Sequence, residues 1–144
     1  MGKRILVPVD RSEQAKEASA FVVSEFGSED TEMVLLHVIN PTEAGYSAQA
    51  SIPSFSEEWF EREKEAAQNL FDDLEAEATA HGITVSHEIE VGKPTRSIVE
   101  FAEENDVDQI VMGSHGRAGV TRILLGSVAE AVVRRSPVPV TVVR

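Results

Sequence analysis

The sequence contains no cysteine, and this absence removes several kinds of chemistry at once. Disulfide bridges, thiolate metal sites and cysteine nucleophiles are all excluded. Lysine is also scarce, because only four of the 13 basic residues are lysines, whereas 25 residues are acidic. The formal net charge of −12 argues against nucleic acid as a partner, since that binding depends on cationic side chains that neutralise phosphates.

Long apolar runs are missing as well. No stretch approaches the roughly 18 apolar residues that a membrane span needs. The first ten residues, MGKRILVPVD, lead directly into a strand pattern and do not resemble a signal peptide. We therefore expect a cytoplasmic protein without membrane contact, folded as a single domain over residues 1–144. Its acidic surface has two open interpretations, adaptation to high salt or an ordinary surface that favours solubility.

What the sequence does contain is a regular alternation of strand and helix patterns. Continuous apolar runs predict buried strands at 4–9, 33–39, 110–112 and 138–143, and an alternating pattern predicts a half-exposed strand at 83–91. Helical spacing predicts helices from Ser12 to Gly27, over 56–81, from Pro94 onward and over 127–135. Residues 40–54 carry no periodic pattern and are predicted to form a long loop.

This alternation predicts an α/β fold, a doubly wound five-stranded parallel sheet with helices on both faces. Right-handed crossovers favour the strand order 3-2-1-4-5 if the switch comes after the third strand. The first and fourth strands are then neighbours, and ligands of such sheets bind outside the carboxyl ends of the strands at that point. Asp10 and the loop after Gly113 are expected to lie side by side there.

The loop after the fourth strand has the composition of a phosphate site. In the stretch 108–127, DQIVMGSHGRAGVTRILLGS, an apolar strand is followed by glycines and then by a helix. Backbone N–H groups of a glycine loop approach phosphate closely, and a helix N-terminus behind them favours an anion. The loop is not a Walker A motif, because no lysine precedes Ser127, and its glycine spacing is not the dinucleotide fingerprint.

The spacing of these glycines resembles that of one family. Gly113, Gly116, Gly126 and Ser127 match the pattern G-x2-G-x9-G-[ST] of the universal stress proteins, and ILVPVD at 5–10 and LLHV at 35–38 resemble that family's first two strands. The resemblance implies an adenine nucleotide α-hydrolase-like fold and ATP binding, with Mg²⁺ or Mn²⁺. It also implies a nucleotide-dependent regulator of the stress response that hydrolyses ATP slowly at most.

The resemblance also implies a set of site residues. Adenosine is expected to contact Pro8, Val9, Asp10 and Val38, to lie over Met112 and Gly113, and to present ribose and phosphates to Gly116, Arg117, Gly126, Ser127 and Val128. Asp10 is expected near the ribose or a phosphate-bound metal ion. Helix capping stays an alternative role for Asp10 and Ser127, and solvated loop charge an alternative for Arg117. No catalytic base stands out, and His37 is expected to be a hydrogen-bonded interior residue.

The last strand predicts a partner. Residues 138–143, VPVTVV, are expected at an edge of the sheet, where apolar strands favour pairing, and the resemblance implies a homodimer through this strand. A protein-interaction module of the same fold that does not use a nucleotide remains the alternative. A response-regulator receiver is disfavoured, because the third strand ends in Ile89-Glu90-Val91-Gly92 without an acceptor aspartate.

Overall fold

The predicted alternation of strands and helices is present in the computed structural model, which describes residues 2–10, 13–27, 30–41, 53–114 and 125–144. In chain order the elements are β1 (Lys3–Pro8), α1 (Glu13–Phe26), β2 (Thr31–Ile39), α2 (Pro53–Ala80), β3 (Thr84–Val91), α3 (Pro94–Glu104), β4 (Gln109–Gly113), α4 (Ser127–Arg135) and β5 (Val140–Val143). None of the helices in these ranges is both long enough and apolar enough to cross a bilayer.

The five strands form a parallel sheet in the order β3-β2-β1-β4-β5, which confirms the predicted order 3-2-1-4-5. β1 lies in the centre, with β2 on one side and β4 on the other. The chain adds strands outward from β1 to β3 and then returns to place β4 on the other side of β1. The carboxyl ends of β1 and β4 are therefore the switch point of the sheet.

Alternate strand residues point to opposite faces of the sheet and build two cores. One core packs the sheet against α1 and α2, and its buried members include Ile5, Val7, Leu35, Phe71 and Val111. The other core packs the sheet against α3 and α4, and its members include Leu6, Leu36, Phe101, Ile110 and Val132. Burial on both faces explains why β1, β2 and β4 are continuous apolar runs in the sequence.

The structure differs from the predicted element bounds at β2, which begins at Thr31 rather than at 33, and at α2 and β5. The helix α2 begins at Pro53 rather than at 56, so the predicted loop over 40–54 ends earlier. Proline is compatible with the first helical position, where an N–H would have no partner in the helix. The strand β5 begins at Val140 rather than at 138, because the Val138 N–H donates to Ser136 Oγ at 3.1 Å and holds a turn before the strand.

Two predicted helix boundaries are confirmed with a physical cause. The helix α2 ends before Gly82, which has a φ of +82°, a conformation that favours glycine. There the N–H groups of Gly82 and Ile83 donate to the carbonyls of Thr79 and Ala78, both at 3.1 Å, which caps the end of the helix. The helix α3 begins at Pro94, as the sequence predicts.

Arg4 joins three elements at the amino ends of the strands. Its Nε donates to Glu32 Oε1 at 2.9 Å, and its Nη1 donates to the Asn105 carbonyl at 2.5 Å. The Arg4 N–H donates to the Asp108 carboxylate, and the Asp108 N–H donates to the Arg4 carbonyl, both at 2.8 Å. These groups border an open groove of about 400 Å³, which is lined by Gly2, Lys3, Arg4, Asp30, Glu32, Asp106 and Asp108.

Candidate functional site

The hydrogen-bond ladder between β1 and β4 does not continue past Pro8 at their carboxyl ends. In a parallel ladder each residue directs its N–H and C=O to one neighbour, and successive residues alternate sides. The Val9 N–H donates to Leu36 of β2 at 2.8 Å, so the nitrogen of Pro8 faces β4. Because proline has no N–H, it cannot donate the bond that would extend the β1–β4 ladder. Ile5 pairs with Gln109 and Leu6 with Ile110 in the β1–β4 ladder. Toward the carboxyl ends of the two strands the ladder stops, so a crevice can open there.

Four of the predicted contact residues share one end and one face of the sheet. Val38 and Val128 pack partly buried against the core on the α3 and α4 side, and Met112 is buried within that core. Alternation puts Pro8 on the same face as Leu6, a member of that core. These side chains form an apolar surface beside the crevice. The Val9 side chain lies in the opposite core, so this predicted contact residue does not contribute its side chain to the surface.

Gly113 has a specific packing reason to be glycine. A Cβ built at this position would lie 2.7 Å from Gln14 Cβ and 3.0 Å from the carbonyl carbon and oxygen of Gln14. Side chains do not tolerate such distances to backbone atoms, so the absent side chain lets the first turn of α1 lie against the end of β4. The sequence prediction placed Gly113 under a nucleotide, and it did not identify this contact with α1.

The start of α4 is held against the end of β4 by backbone hydrogen bonds. The Ser114 N–H donates to the Val143 carbonyl at 2.9 Å, and the Gly126 N–H donates to the Ser114 carbonyl at 2.7 Å. Ser114 is 3% exposed. The two ends of the glycine loop therefore meet at one buried residue, and the N-terminus of α4 lies at the carboxyl end of β4.

Gly126 occupies the N-cap position of α4, in extended backbone conformation. The alternative that Ser127 caps this helix is wrong, since Ser127 is the first helical residue and is exposed. Because the N-cap residue is glycine, it makes no side-chain hydrogen bond to the first turn of α4. Because the first N–H groups of a helix have no acceptor inside it, those of Ser127, Val128 and Ala129 are directed outward at this end of the sheet.

Asp10 lies two residues after the end of β1 and is half-buried. Among the described residues no group of three or more histidine, aspartate or glutamate side chains has the arrangement of a metal site. Gly116 and Arg117 lie outside the described residues, as do Ser12, His115 and Arg122, so the predictions for them stay predictions.

His37 is an interior residue, as predicted. It is 6% exposed, and its Nδ1 lies 2.8 Å from the Val9 carbonyl oxygen. Sequence patterns cannot identify this partner, because the two residues are 28 positions apart. The roles of Ser114 and of the α1 contact at Gly113 were missed for the same reason, since each depends on an element remote in sequence.

Comparison with known proteins identifies the family. The model of the universal stress protein family matches residues 1–144. Universal stress protein MJ0577 of Methanocaldococcus jannaschii is 37% identical over 157 residues, covering 100% of this chain and 96% of the relative. The solved structure of MJ0577 has a TM-score of 0.88 at 39% identity, covering 99% of this chain and 96% of its own.

Two more distant structures contain nucleotides. A universal stress protein family protein from Arabidopsis thaliana with AMP bound has a TM-score of 0.69 at 20% identity, covering 98% of this chain and 90% of its own. The universal stress protein from Archaeoglobus fulgidus in complex with dAMP has a TM-score of 0.69 at 19% identity, covering 100% and 98%. These two share the fold of this chain, which is the adenine nucleotide α-hydrolase-like fold. The family match over the whole sequence, together with the identity to MJ0577, shows that this chain belongs to the universal stress protein family.

Proposed function

We propose that this chain binds ATP, with Mg²⁺ or Mn²⁺, at the carboxyl ends of β1, β2 and β4. ATP occupancy then regulates a stress response in the cytoplasm, and residues 1–144 act as a single domain. The observation that carries this proposal is the start of α4, which has a glycine at its N-cap and is fixed by Ser114 at the carboxyl end of β4. Relatives of the same fold with AMP or dAMP bound support the adenine class of ligand.

The adenine ring belongs on the apolar surface formed by Pro8, Val38 and Met112. Val38 is half-buried, so part of its side chain is accessible to a ligand. A flat heteroaromatic ring gains most from such a surface when its polar edge can reach backbone groups. Backbone groups at the carboxyl ends of β1 and β2 are proposed to supply those partners. Val9 itself is not among them, because its N–H donates to the Leu36 carbonyl, its carbonyl lies 2.8 Å from His37 Nδ1 and its side chain faces the other core.

The phosphates belong at the N-terminus of α4. The N–H groups of its first turn and the helix dipole both favour an anion there. This local attraction opposes the repulsion from the net charge of −12, which acts at long range and is screened by salt. Gly116 and Arg117 are proposed to complete the phosphate site from the loop.

The metal ion is proposed to arrive with the phosphates rather than to occupy a protein cage. The absence of a three-ligand cluster among the described residues fits an ion held mainly by phosphate oxygens and water. Asp10 would hold this ion, because it is the acidic residue at the end of β1. When bound, the ion neutralises phosphate charge. Since no catalytic base is apparent in the sequence, the chain holds the nucleotide and hydrolyses it slowly at most.

The test is to release the ligand of the purified protein by denaturation and to identify it by mass spectrometry. Calorimetric titration of the emptied protein with Mg-ATP and with AMP then measures affinity. We expect an adenine nucleotide in the released fraction and saturable ATP binding near one equivalent. A protein that is purified without nucleotide and gives no binding heat would favour the alternative, a protein-interaction module.

A homodimer through β5 is a second part of the proposal. β5 is an edge strand, and the carbonyls of Pro139 and Val143 accept bonds from β4. Alternation therefore directs the backbones of Val140 and Val142 outward, where a second copy of β5 can pair with them in antiparallel orientation.

Substitution of one outward residue tests this dimer. Val142→Pro removes an outward N–H and leaves the bonds to β4 in place, so we expect a monomer by light scattering with little loss of thermal stability. Val142→Thr keeps both the N–H and the side-chain shape and should remain a dimer. A dimeric Val142→Pro protein would contradict this interface.

A further inference from the structure

His37 is a buried polar side chain below the proposed site, and the site as predicted does not use it. Its Nδ1 lies 2.8 Å from the Val9 carbonyl oxygen, and the side chain is 6% exposed. A carbonyl oxygen only accepts hydrogen bonds, so Nδ1 carries the proton and donates. The described histidines His81 and His87 are exposed by contrast.

The bond from His37 begins where the β1–β2 ladder ends. The paired residues of the two strands run from Lys3 with Thr31 to Pro8 with Leu36. After these pairs the Val9 N–H still donates to the Leu36 carbonyl at 2.8 Å, and the His37 imidazole donates to the Val9 carbonyl. Both polar groups of the Val9 backbone are therefore held by β2, one by its main chain and one by a side chain.

This arrangement fixes the path of the chain at the point where β1 enters the crevice. Asp10 is the next residue, and its position depends on the peptide plane that contains the Val9 carbonyl. A buried carbonyl without a donor is costly, so loss of the imidazole would make this peptide turn toward another partner. Such a turn would displace Asp10 and change the opening beside Pro8.

We propose that His37 is a positioning residue for nucleotide binding, which holds the Val9 carbonyl so that the β1 exit is already formed before the ligand arrives. This inference rests on the proposed ATP function. Ligands bind more tightly to a site that needs no rearrangement, so His37 acts on affinity without touching the nucleotide.

A matched pair of substitutions isolates the donated hydrogen bond. His37→Asn and His37→Leu both remove the ring and leave side chains of nearly the same shape. The asparagine Nδ2 is as many bonds from the backbone as the histidine Nδ1 and can still donate to the Val9 carbonyl, whereas leucine cannot. Leucine is the better residue for a buried strand, so it should give the more stable protein of the two.

The experiment measures the affinity for Mg-ATP and the thermal midpoint of the ligand-free protein for both variants and the wild type. We expect His37→Asn to bind Mg-ATP within about threefold of the wild type. His37→Leu should bind about tenfold more weakly than the wild type, although it should melt at the same temperature as His37→Asn or at a higher one. A purely structural histidine would make affinity and stability fall together. His87→Leu, at an exposed residue stacked on Phe71 at 4.8 Å, should leave the affinity unchanged.

Amide hydrogen exchange at Val9 supplies a readout that needs no nucleotide. The Val9 amide should exchange at least tenfold faster in His37→Leu than in His37→Asn, because the peptide that follows it is no longer held. Equal affinities and equal exchange rates in the two variants would overturn the inference. If no protein of the series binds ATP, the proposed function and the ligand part of this inference fail together, while the exchange rates still decide whether His37 holds Val9.

Discussion

At the amino ends of the strands Arg4 binds carboxylate and carbonyl oxygens, whereas at the carboxyl ends the first turn of α4 follows a glycine N-cap that has no side chain to bind its N–H groups. The amino end also has the open groove of about 400 Å³. The polar groups bordering the groove largely satisfy one another, so they have little left to offer a ligand.

The carboxyl end differs in how its backbone is used. Pro8 lacks the N–H that would continue the ladder to β4, and Gly113 lacks the side chain that would keep α1 away. Ser114 then ties the N-terminus of α4 to the same place. The proposed site thus depends on groups that are absent, whereas the amino end is held together by ion pairs and hydrogen bonds. Substitutions at each end should separate stability from nucleotide binding.

The largest effect is expected from a charge placed at the start of α4. Ser127→Asp puts a carboxylate where the phosphates are proposed to bind, and like charges in close contact cost several kcal/mol. We expect the affinity for Mg-ATP to fall about 100-fold, or about 2.7 kcal/mol, measured by calorimetry. The thermal midpoint should hold or rise, because an acidic residue at a helix N-terminus is stabilising.

The matched control for this charge is Asn69→Asp at an exposed position of α2, which changes the net charge equally. Its affinity should stay within about twofold of the wild type, since exposed charges beyond a Debye length of about 8 Å are largely screened. If both variants lose affinity to the same extent, net charge rather than the α4 terminus controls binding.

The next effect concerns the contact between Gly113 and α1. Gly113→Ala forces a methyl group to within 3.0 Å of Gln14 backbone atoms, so α1 must shift away from β4. We expect a loss of about 1–3 kcal/mol in the free energy of unfolding and a weaker affinity for ATP. Denaturant unfolding and calorimetry measure the two quantities.

Gly82→Ala provides the comparison for a glycine remote from the site. A Cβ there meets nothing within 4 Å, but the φ of +82° strains any other residue. A cost of about 1 kcal/mol without any change in ATP affinity is expected. Should Gly113→Ala also leave the affinity unchanged, the contact with α1 would be irrelevant to the site.

The sequence was sufficient for the architecture because burial on two faces leaves a clear local pattern. Continuous apolar runs marked β1, β2 and β4, the alternating pattern marked the edge strand β3, and Gly82 and Pro94 marked helix ends. The boundaries of α2 and β5 were less well predicted, since residues 53–55 carry no apolar period and the turn at Ser136 uses a side chain.

The location of the proposed site follows from the sequence, whereas the contacts that build it do not. Strand order predicts that Asp10 lies near the end of β4, and the glycine spacing identified the family. The reason for Gly113, the N-cap at Gly126 and the partner of His37 depend on residues far away in the chain. Such contacts leave no trace in local periodicity, so only the folded structure reveals them.

At the amino end we expect an effect on stability and none on binding. Arg4→Met keeps an apolar stem and removes the groups that bind Glu32 and the Asn105 carbonyl. The Arg4 and Glu32 side chains are 39% and 31% exposed, so solvent replaces part of what is lost and the cost should be about 1 kcal/mol.

The control for Arg4 is Arg96→Met, which breaks a 3.3 Å pair with Glu100 in which the two side chains are 78% and 49% exposed. Its cost should stay below about 0.5 kcal/mol. Both variants should bind Mg-ATP like the wild type. A loss of affinity in Arg4→Met would show that the two ends of the sheet are coupled.

The smallest effect on stability is expected at Glu90. Its neighbours are other carboxylates, whereas Glu32 at the amino end is paired with Arg4. Partial burial, followed by the charges of Glu88, Glu104 and Glu100, raises the pKa of Glu90 above its ordinary value of 4.5. Glu90 pairs with Val38 in the ladder, so this charge lies next to the proposed adenine surface.

A raised pKa means that the folded chain holds this proton more tightly than the unfolded chain. The group therefore stabilises the fold at a pH below its unfolded value, and this contribution is lost as the pH rises through the folded value. At pH 7, Glu90→Gln should raise the thermal midpoint and increase the free energy of unfolding by less than about 0.5 kcal/mol. At pH 4 the substitution should not change either quantity. An equal gain at both pH values would mean that packing rather than charge distinguishes the two side chains. The same substitution should strengthen ATP binding slightly at pH 7, because it removes a negative charge from the end of the sheet that is proposed to receive an anion.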